Sequence, residues 1–113
     1  PKKEVVAEPM KQNIFFALNS GKIQDDQQAK LVSLIEYLET HPAAKISITG
    51  YADVNTGNPK INSKLSEKRA VNVAEALKIK GIAADRIKID FKGDTVQPYA
   101  TPEENRVSIC IAE

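Results

Sequence analysis

Asp53 and Arg69 are the two residues of this sequence that a folded core has least use for. Asp53 follows an apolar stretch that reads as a strand, and Arg69 lies in the helix after it. The span around them, residues 50–70 (GYADVNTGNPKINSKLSEKRA), also holds Thr56, Asn62 and Ser66. Connections at strand ends are where α/β folds place binding residues. An acid and an arginine sharing one cleft there suit a ligand that carries both an ammonium and a carboxylate. Asp53 would accept from the ammonium, and Arg69 would take the carboxylate as a bidentate pair. The free N–H groups at the start of the helix favour the same anion. A plainer reading stands beside this one. Asp53 satisfies N–H groups of its own turn, Arg69 bridges to Asp53 or Glu104 and locks the loop, Asn62 bonds nearby backbone, and Ser66 is a small packing residue.

The elements that must hold these residues follow from periodicity. Residues 14–18 (IFFAL) read as a first strand, closed by Asn19-Ser20-Gly21. Asp25 and Asp26 open a helix, one as an N-cap acceptor and both suited to the positive end of its dipole. Leu31, Leu34, Ile35 and Leu38 form its apolar stripe, and Pro42 ends it near Thr40, with His41 as the terminating residue. Residues 45–51 (KISITGY) alternate as a half-buried strand. A second helix starts at Pro59, runs to about Lys80, and ends at Gly81 as a left-handed cap, with Ile82 packing back. On a helical wheel Leu65, Ala70, Val73, Ala76 and Leu77 share one sector, and Asn62, Ser66 and Arg69 fall within it near its N-terminal end. An arginine there must be paired or face a cleft. Residues 86–91 form a third strand, with Ile87, Ile89 and Phe91 on one face. Residues 92–105 form a loop, and residues 106–111 a last strand with Val107, Ile109 and Ile111 on one face. The order β-α-β-α-β-β implies an α+β fold, a two-layer α/β sandwich with a mixed sheet and helices packed on one face. Residues 1–12, with two prolines and little periodicity, read as a linker or frayed arm, leaving residues 13–113 as the domain.

Composition narrows the function. A chain of 113 residues with a net charge of +1 has no basic surface on which to expect nucleic acid, and too few aromatics to stack bases. One Cys and one His exclude a zinc site of Cys and His and an internal disulfide. Cys110 reads as a packed small hydrophobe. No activated nucleophile, credible carboxylate pair or phosphate-cradling glycine loop is visible, so neither catalysis nor a cofactor is expected. No apolar run is long enough to span a bilayer and no secretory signal is visible. Since the chain does not begin with Met, a longer precursor is expected.

The run TGNPKINSKLSEKRAVNVAEAL resembles the peptidoglycan-binding domain of the outer membrane protein A family, shared with flagellar stator B subunits and peptidoglycan-associated lipoproteins. The resemblance rests on Asp53, Thr56, Gly57, Asn62, Leu65, Ser66, Arg69, Ala70, Val73 and Leu77. It continues through Gly81-Ile82, Arg86-Ile87, Gly93, Pro98 and Arg106-Val107, and covers residues 14–111. The tail resembles versions found in Bacteroidetes-type bacteria. The resemblance implies a domain that binds the peptide stem of peptidoglycan non-covalently through meso-diaminopimelate. Asp53 would meet the ammonium and Arg69 a carboxylate, with Thr56, Asn62, Asn105 and Arg106 lining the same cleft. It also implies a periplasmic location and an upstream β-barrel or lipid anchor in the outer membrane. The sequence departs from the family where His-Thr becomes Tyr51-Ala52, where one of two arginines becomes Asn105, and where a glutamate becomes Asp94. The change at Asn105 motivates an alternative, a protein-interaction or oligomerisation module that keeps the fold without the wall ligand.

Overall fold

The computed structural model describes residues 9–113. Most of the expected N-terminal arm, residues 1–8, lies outside the described residues, but residues 10–12 belong to the sheet. The first strand, β1, runs Met10–Phe15, so it begins earlier than the apolar run IFFAL suggests. The polar residues Lys11, Gln12 and Asn13 disguise it. They are held in the strand by pairing along its whole length, from Met10 opposite Ala112 to Phe15 opposite Val107.

A tight turn at Asp25–Gln27 leads into helix α1, Gln28–Thr40. Neither Asp25 nor Asp26 caps it through a side-chain bond, contrary to expectation. Gln27 is instead drawn inward, where its Oε1 accepts from the Phe15 N–H at 3.0 Å and the Lys30 ammonium at 2.9 Å. Leu31, Leu34 and Leu38 are buried, and Ile35 packs beside them half-buried. The helix stops at Thr40. His41 follows in a non-helical conformation, its ring stacked on Tyr37 at 4.2 Å between centroids.

Strand β2, Ile46–Gly50, buries Ile46 and Ile48 and turns Ser47 to solvent. Helix α2, Pro59–Ile79, starts with Pro59 in its first turn, capped by the Asn58 side chain, which accepts from the Ile61 N–H. Gly81 then takes φ +98°. Ile82 folds back with its N–H on the Leu77 carbonyl and joins the core. The buried face of α2 holds Asn62, Ser66, Arg69, Ala70, Val73, Ala74 and Leu77. It is rotated from the sector expected on the wheel: Leu65 and Ala76 are half-buried at its flank and Ala74 goes inside. Close packing on β2 sets this rotation. A Cβ on Gly50 would lie 1.9 Å from the Ser66 carbonyl oxygen, so glycine alone permits the approach.

Strand β3 spans Ile87–Phe91, and strand β4 spans Val107–Ala112. The sheet order is β1-β4-β2-β3, with β4 antiparallel to both its neighbours and β2 parallel to β3. The last strand therefore fills the centre. Ile14, Ile46, Ile48, Cys110 and Ala112 form one cluster with the leucines of α1 and α2, so both helices lie on that face. Val107, Ile109 and Ile111 point to the other face, where Ile109 and Ile111 stay half-exposed. Ile89 and Phe91 lie on the helix-side face but are 38% and 39% exposed, because β3 is an edge.

Candidate functional site

Four segments meet at one end of the sheet: the turn after β1, the continuation of β2, the first turns of α2, and the approach to β4. The β2 continuation is held in place by main-chain bonds. Tyr51 N–H donates to the Val107 carbonyl at 2.8 Å, and Ala52 N–H to the Gly93 carbonyl at 2.9 Å. Asp53 is thereby set at a fixed height above the sheet.

Its carboxylate is 2% exposed. Arg106 Nε donates to Oδ2 at 2.8 Å and Thr56 Oγ1 donates to Oδ1 at 2.9 Å. Burial by itself would raise the Asp53 pKa. The bonds from Arg106 and Thr56, the Arg106 charge and the Asn55 main chain together outweigh burial and hold the carboxyl below its ordinary range. Asp53 is therefore ionised at neutral pH. The partner that forms an ion pair with it is Arg106, rather than Arg69.

Arg69 is 1% exposed and is satisfied differently. Its Nε donates to the Ser20 carbonyl at 2.9 Å, Nη1 to Tyr51 at 2.8 Å and Nη2 to Ala17 at 3.2 Å. The Phe16 ring lies beneath the guanidinium, 5.4 Å from centroid to Cζ. Burial pushes the Arg69 pKa down to about 10, still well above neutrality. The charges of Asp53 and Arg106 both act on it, which puts all three groups in one electrostatic neighbourhood. Glu104, a possible partner from sequence, instead accepts from Thr101.

Asn62 stitches the loop after Asp53 to the helix. Its amide donates to the Thr56 carbonyl at 2.8 Å, to Asp94 Oδ2 at 2.9 Å and to the Asp53 carbonyl at 3.3 Å. Ser66 Oγ accepts the Gly93 N–H at 2.9 Å and so joins α2 to the loop after β3. Asn105 is 3% exposed. It accepts from the Tyr99 N–H at 2.8 Å and donates to the Tyr99 carbonyl and Gln97 Oε1, both at 3.0 Å. Its amide is spent on the 97–99 loop, so its part in the site is to shape that loop. An arginine, which has no acceptor, could not make this set of bonds.

Gln97 escaped sequence reasoning. Its amide donates to the Ala52 carbonyl at 3.0 Å, and its Oε1 accepts from Val54 N–H at 3.1 Å as well as from Asn105. It straddles Asp53 and pins both flanking residues. The signal was its place beside Pro98 in a loop that otherwise looked merely connecting. Away from this end, Cys110 is fully buried, and burial pushes its thiol up to about 12, which leaves it inert at neutral pH. Among the described residues no group of His, Cys, Asp and Glu is arranged to hold a metal ion.

The arrangement is a buried carboxylate with two guanidinium groups close by, set in loops fixed by side-chain amides. It can read opposite charges on one small ligand. Comparison with known proteins agrees with its fold and motif. The OmpA family model matches residues 15–108. Outer membrane protein 40 of Porphyromonas gingivalis is 40% identical over 99 residues, which cover 88% of this chain and 26% of that protein. The peptidoglycan-associated lipoprotein of Legionella pneumophila is 32% identical over 81 residues, 72% of this chain and 46% of that protein. This chain therefore spans less than half the length of either relative. The crystal structure of the peptidoglycan-associated lipoprotein from Burkholderia pseudomallei superposes with a TM-score of 0.83 and 26% identity, covering 89% of each chain.

Proposed function

The chain belongs to the OmpA family, and on that premise we propose that it binds the peptide stem of peptidoglycan non-covalently through meso-diaminopimelate. The full-length protein, anchored in the outer membrane through a barrel or lipid, would thereby be held to the wall from the periplasmic side. The observation that carries this reading is Asp53: a nearly inaccessible carboxylate, kept ionised, with Arg106 bonded to it and Arg69 close enough to feel its charge.

Each group has a role in this reading. A carboxylate offers about four acceptor sites, and Asp53 has given one each to Arg106, Thr56 and the Asn55 main chain. Asp53 takes the ligand's ammonium. Arg69 has two N–H groups beyond the three donated to carbonyls, and these take the ligand's carboxylate together with Arg106. Arg106 is the more exposed member of the ion pair, at 17% against 2%, so it is the side chain that shifts to admit the ligand. Thr56 and Asn62 keep the wall of the cleft in register, and Asn105 holds the loop behind it.

Two or three charge-assisted bonds contribute about 1.5–3 kcal/mol each. Association costs roughly 4–15 kcal/mol. These bonds alone therefore leave a soluble stem binding no tighter than roughly the upper-micromolar to millimolar range. Retention on the wall comes from many sites acting at once and from the membrane anchor. The test is calorimetric titration with a tripeptide stem bearing meso-diaminopimelate, against the same stem bearing lysine, which lacks one carboxylate. Preference for the first is expected. Equal binding would remove the carboxylate contact from the two arginines. Binding of neither would leave the fold as an interaction module.

A further inference from the structure

Gln97 has no part in the stem reading, yet its side chain is bonded on both sides of the residue that reading depends on. Its Nε2 donates to the Ala52 carbonyl at 3.0 Å, and to the Asp94 and Val96 carbonyls of its own loop at 3.2 and 3.1 Å. Its Oε1 accepts from the Val54 N–H at 3.1 Å and from the Asn105 amide at 3.0 Å. The main chain around Asp53 has few other holds. Tyr51 N–H is tied to Val107 and Ala52 N–H to Gly93, and there the main-chain bonds of the β2 continuation end. Past them, among the described residues, two side chains bond the main chain of residues 52–54. Asn62 reaches the Asp53 carbonyl at 3.3 Å, and Gln97 takes the carbonyl before it and the N–H after it. These bonds fix where the Asp53 side chain points.

We infer that Gln97 is a positioning residue for the ligand's ammonium: it aims the Asp53 carboxylate without touching the ligand. The inference rests on the stem reading above. In the free domain Arg106, Thr56 and the Asn55 main chain also hold the carboxylate. Arg106 is the one that shifts to admit the ligand, and at that moment more of the alignment falls on the main chain that Gln97 holds. A hydrogen bond weakens steeply as its angle departs from linear, so a carboxylate that swings loses grip on an ammonium. Asn105 keeps Gln97 in register. It donates to Gln97 Oε1 and is itself fixed by the Tyr99 N–H and carbonyl. Asn105 also precedes Arg106, so the segment that carries the cation of the ion pair secures the residue that aims its anion.

The experiment uses Gln97→Met, which keeps the length of a half-buried side chain and removes its amide. Affinity for the tripeptide stem bearing meso-diaminopimelate should fall about ten-fold, the scale seen when a residue that orients a binding group is lost. A nitrogen–proton NMR spectrum separates aim from general loosening. The Arg106 Nε–H signal, which reports the bond to Asp53, should shift, while the Arg69 Nε–H signal, which reports the bond to Ser20, should stay in place. Thr95→Ala is the control within the same loop. It removes the bond from Thr95 Oγ1 to the Lys92 carbonyl, which has no link to Asp53, and should change neither affinity nor either signal. Unchanged affinity in Gln97→Met overturns the inference. So does a loss of affinity in which both signals move or neither does, and so does an equal loss in Thr95→Ala, since loop order would then be what matters. In each of these cases binding by the unmodified domain leaves the stem reading intact. Failure of the unmodified domain to bind the stem overturns both.

Discussion

Two arginines perform the same mechanical task at opposite ends of this domain. Arg69 ties the carbonyls of Ala17, Ser20 and Tyr51, which joins the turn after β1 to the continuation of β2. Arg86 ties those of Leu38, His41 and Ala44, which joins the end of α1 to the approach to β2. Each closes a junction by donating to main-chain carbonyls from two segments, of which Ala17 and His41 also accept a main-chain N–H. The surroundings differ. Among the described residues no acid is bonded to Arg86. Arg69 shares its neighbourhood with Asp53 and Arg106, and is buried enough to lower its pKa. An arginine bonded to three main-chain carbonyls is therefore not by itself a sign of a binding site. What separates the two ends is the carboxylate beside one of them.

Substitutions can break that comparison. The largest effect is expected for Arg69→Ala, which should cost about 3–5 kcal/mol in urea denaturation, since the Ser20 and Tyr51 carbonyls lose the arginine as donor, the Ala17 carbonyl keeps only the Ser20 N–H, and the packing of a 1% exposed side chain is lost. It should also abolish stem binding. Arg86→Ala should cost about 2–3 kcal/mol by the same measurement, with stem affinity unchanged when tested under conditions where the domain is folded. If Arg86→Ala weakened binding as much as Arg69→Ala, the Arg69 effect would be one of stability alone. Asp53→Asn keeps the shape and the acceptor for Arg106. It should cost about 1–2 kcal/mol in stability while weakening binding to wall sacculi at least about ten-fold. A large loss of stability with binding retained would make Asp53 structural.

The smallest effect is that of pH. The folded-state pKa of Asp53 lies below its ordinary value. Its contribution to stability is therefore fully present above the unfolded carboxylate range and is lost as pH falls through the folded value. Melting temperature and stem affinity should both be flat between about pH 5 and 8 as far as this group is concerned; melting temperature should begin to decline below about pH 4, and stem affinity at a lower pH, where the folded Asp53 itself protonates. In the Asp53→Asn variant that share of the acid decline should be missing.

The sequence was most readable where side chains announce themselves. Alternation in ISITG and the stripe of leucines located β2 and α1, and Pro59 with Gly81 bracketed α2 almost to the residue. Asp53 and Arg69 stood out because they interrupt patterns that are otherwise apolar or solvent-facing. What Arg69 holds could not be read, because its partners are main-chain carbonyls and every residue has one. The pairing of Asp53 with Arg106, 53 positions apart, depends on β4 lying beside β2. That adjacency arises from strand order, which periodicity does not encode. Gln97 is the same case: its bonds reach Ala52, Val54 and Asn105, none of them at a spacing that marks a motif. The start of β1 was obscured because an edge strand tolerates polar residues on much of its length.

The site and the N-terminal end of β1 lie at opposite ends of the sheet. Met10 pairs with Ala112, whereas Phe15 pairs with Val107, whose carbonyl accepts from Tyr51 two residues before Asp53. In a protein tethered upstream of Met10 and held at Asp53, tension would run along the strands. The six residue pairs between β1 and β4 would then be loaded together in shear, rather than peeled one after another as a zipper opens. Bonds strained in parallel resist far more force than bonds strained in series, so the placement of the last strand at the centre would make this domain a strong link in a chain whose individual grip on the wall is weak.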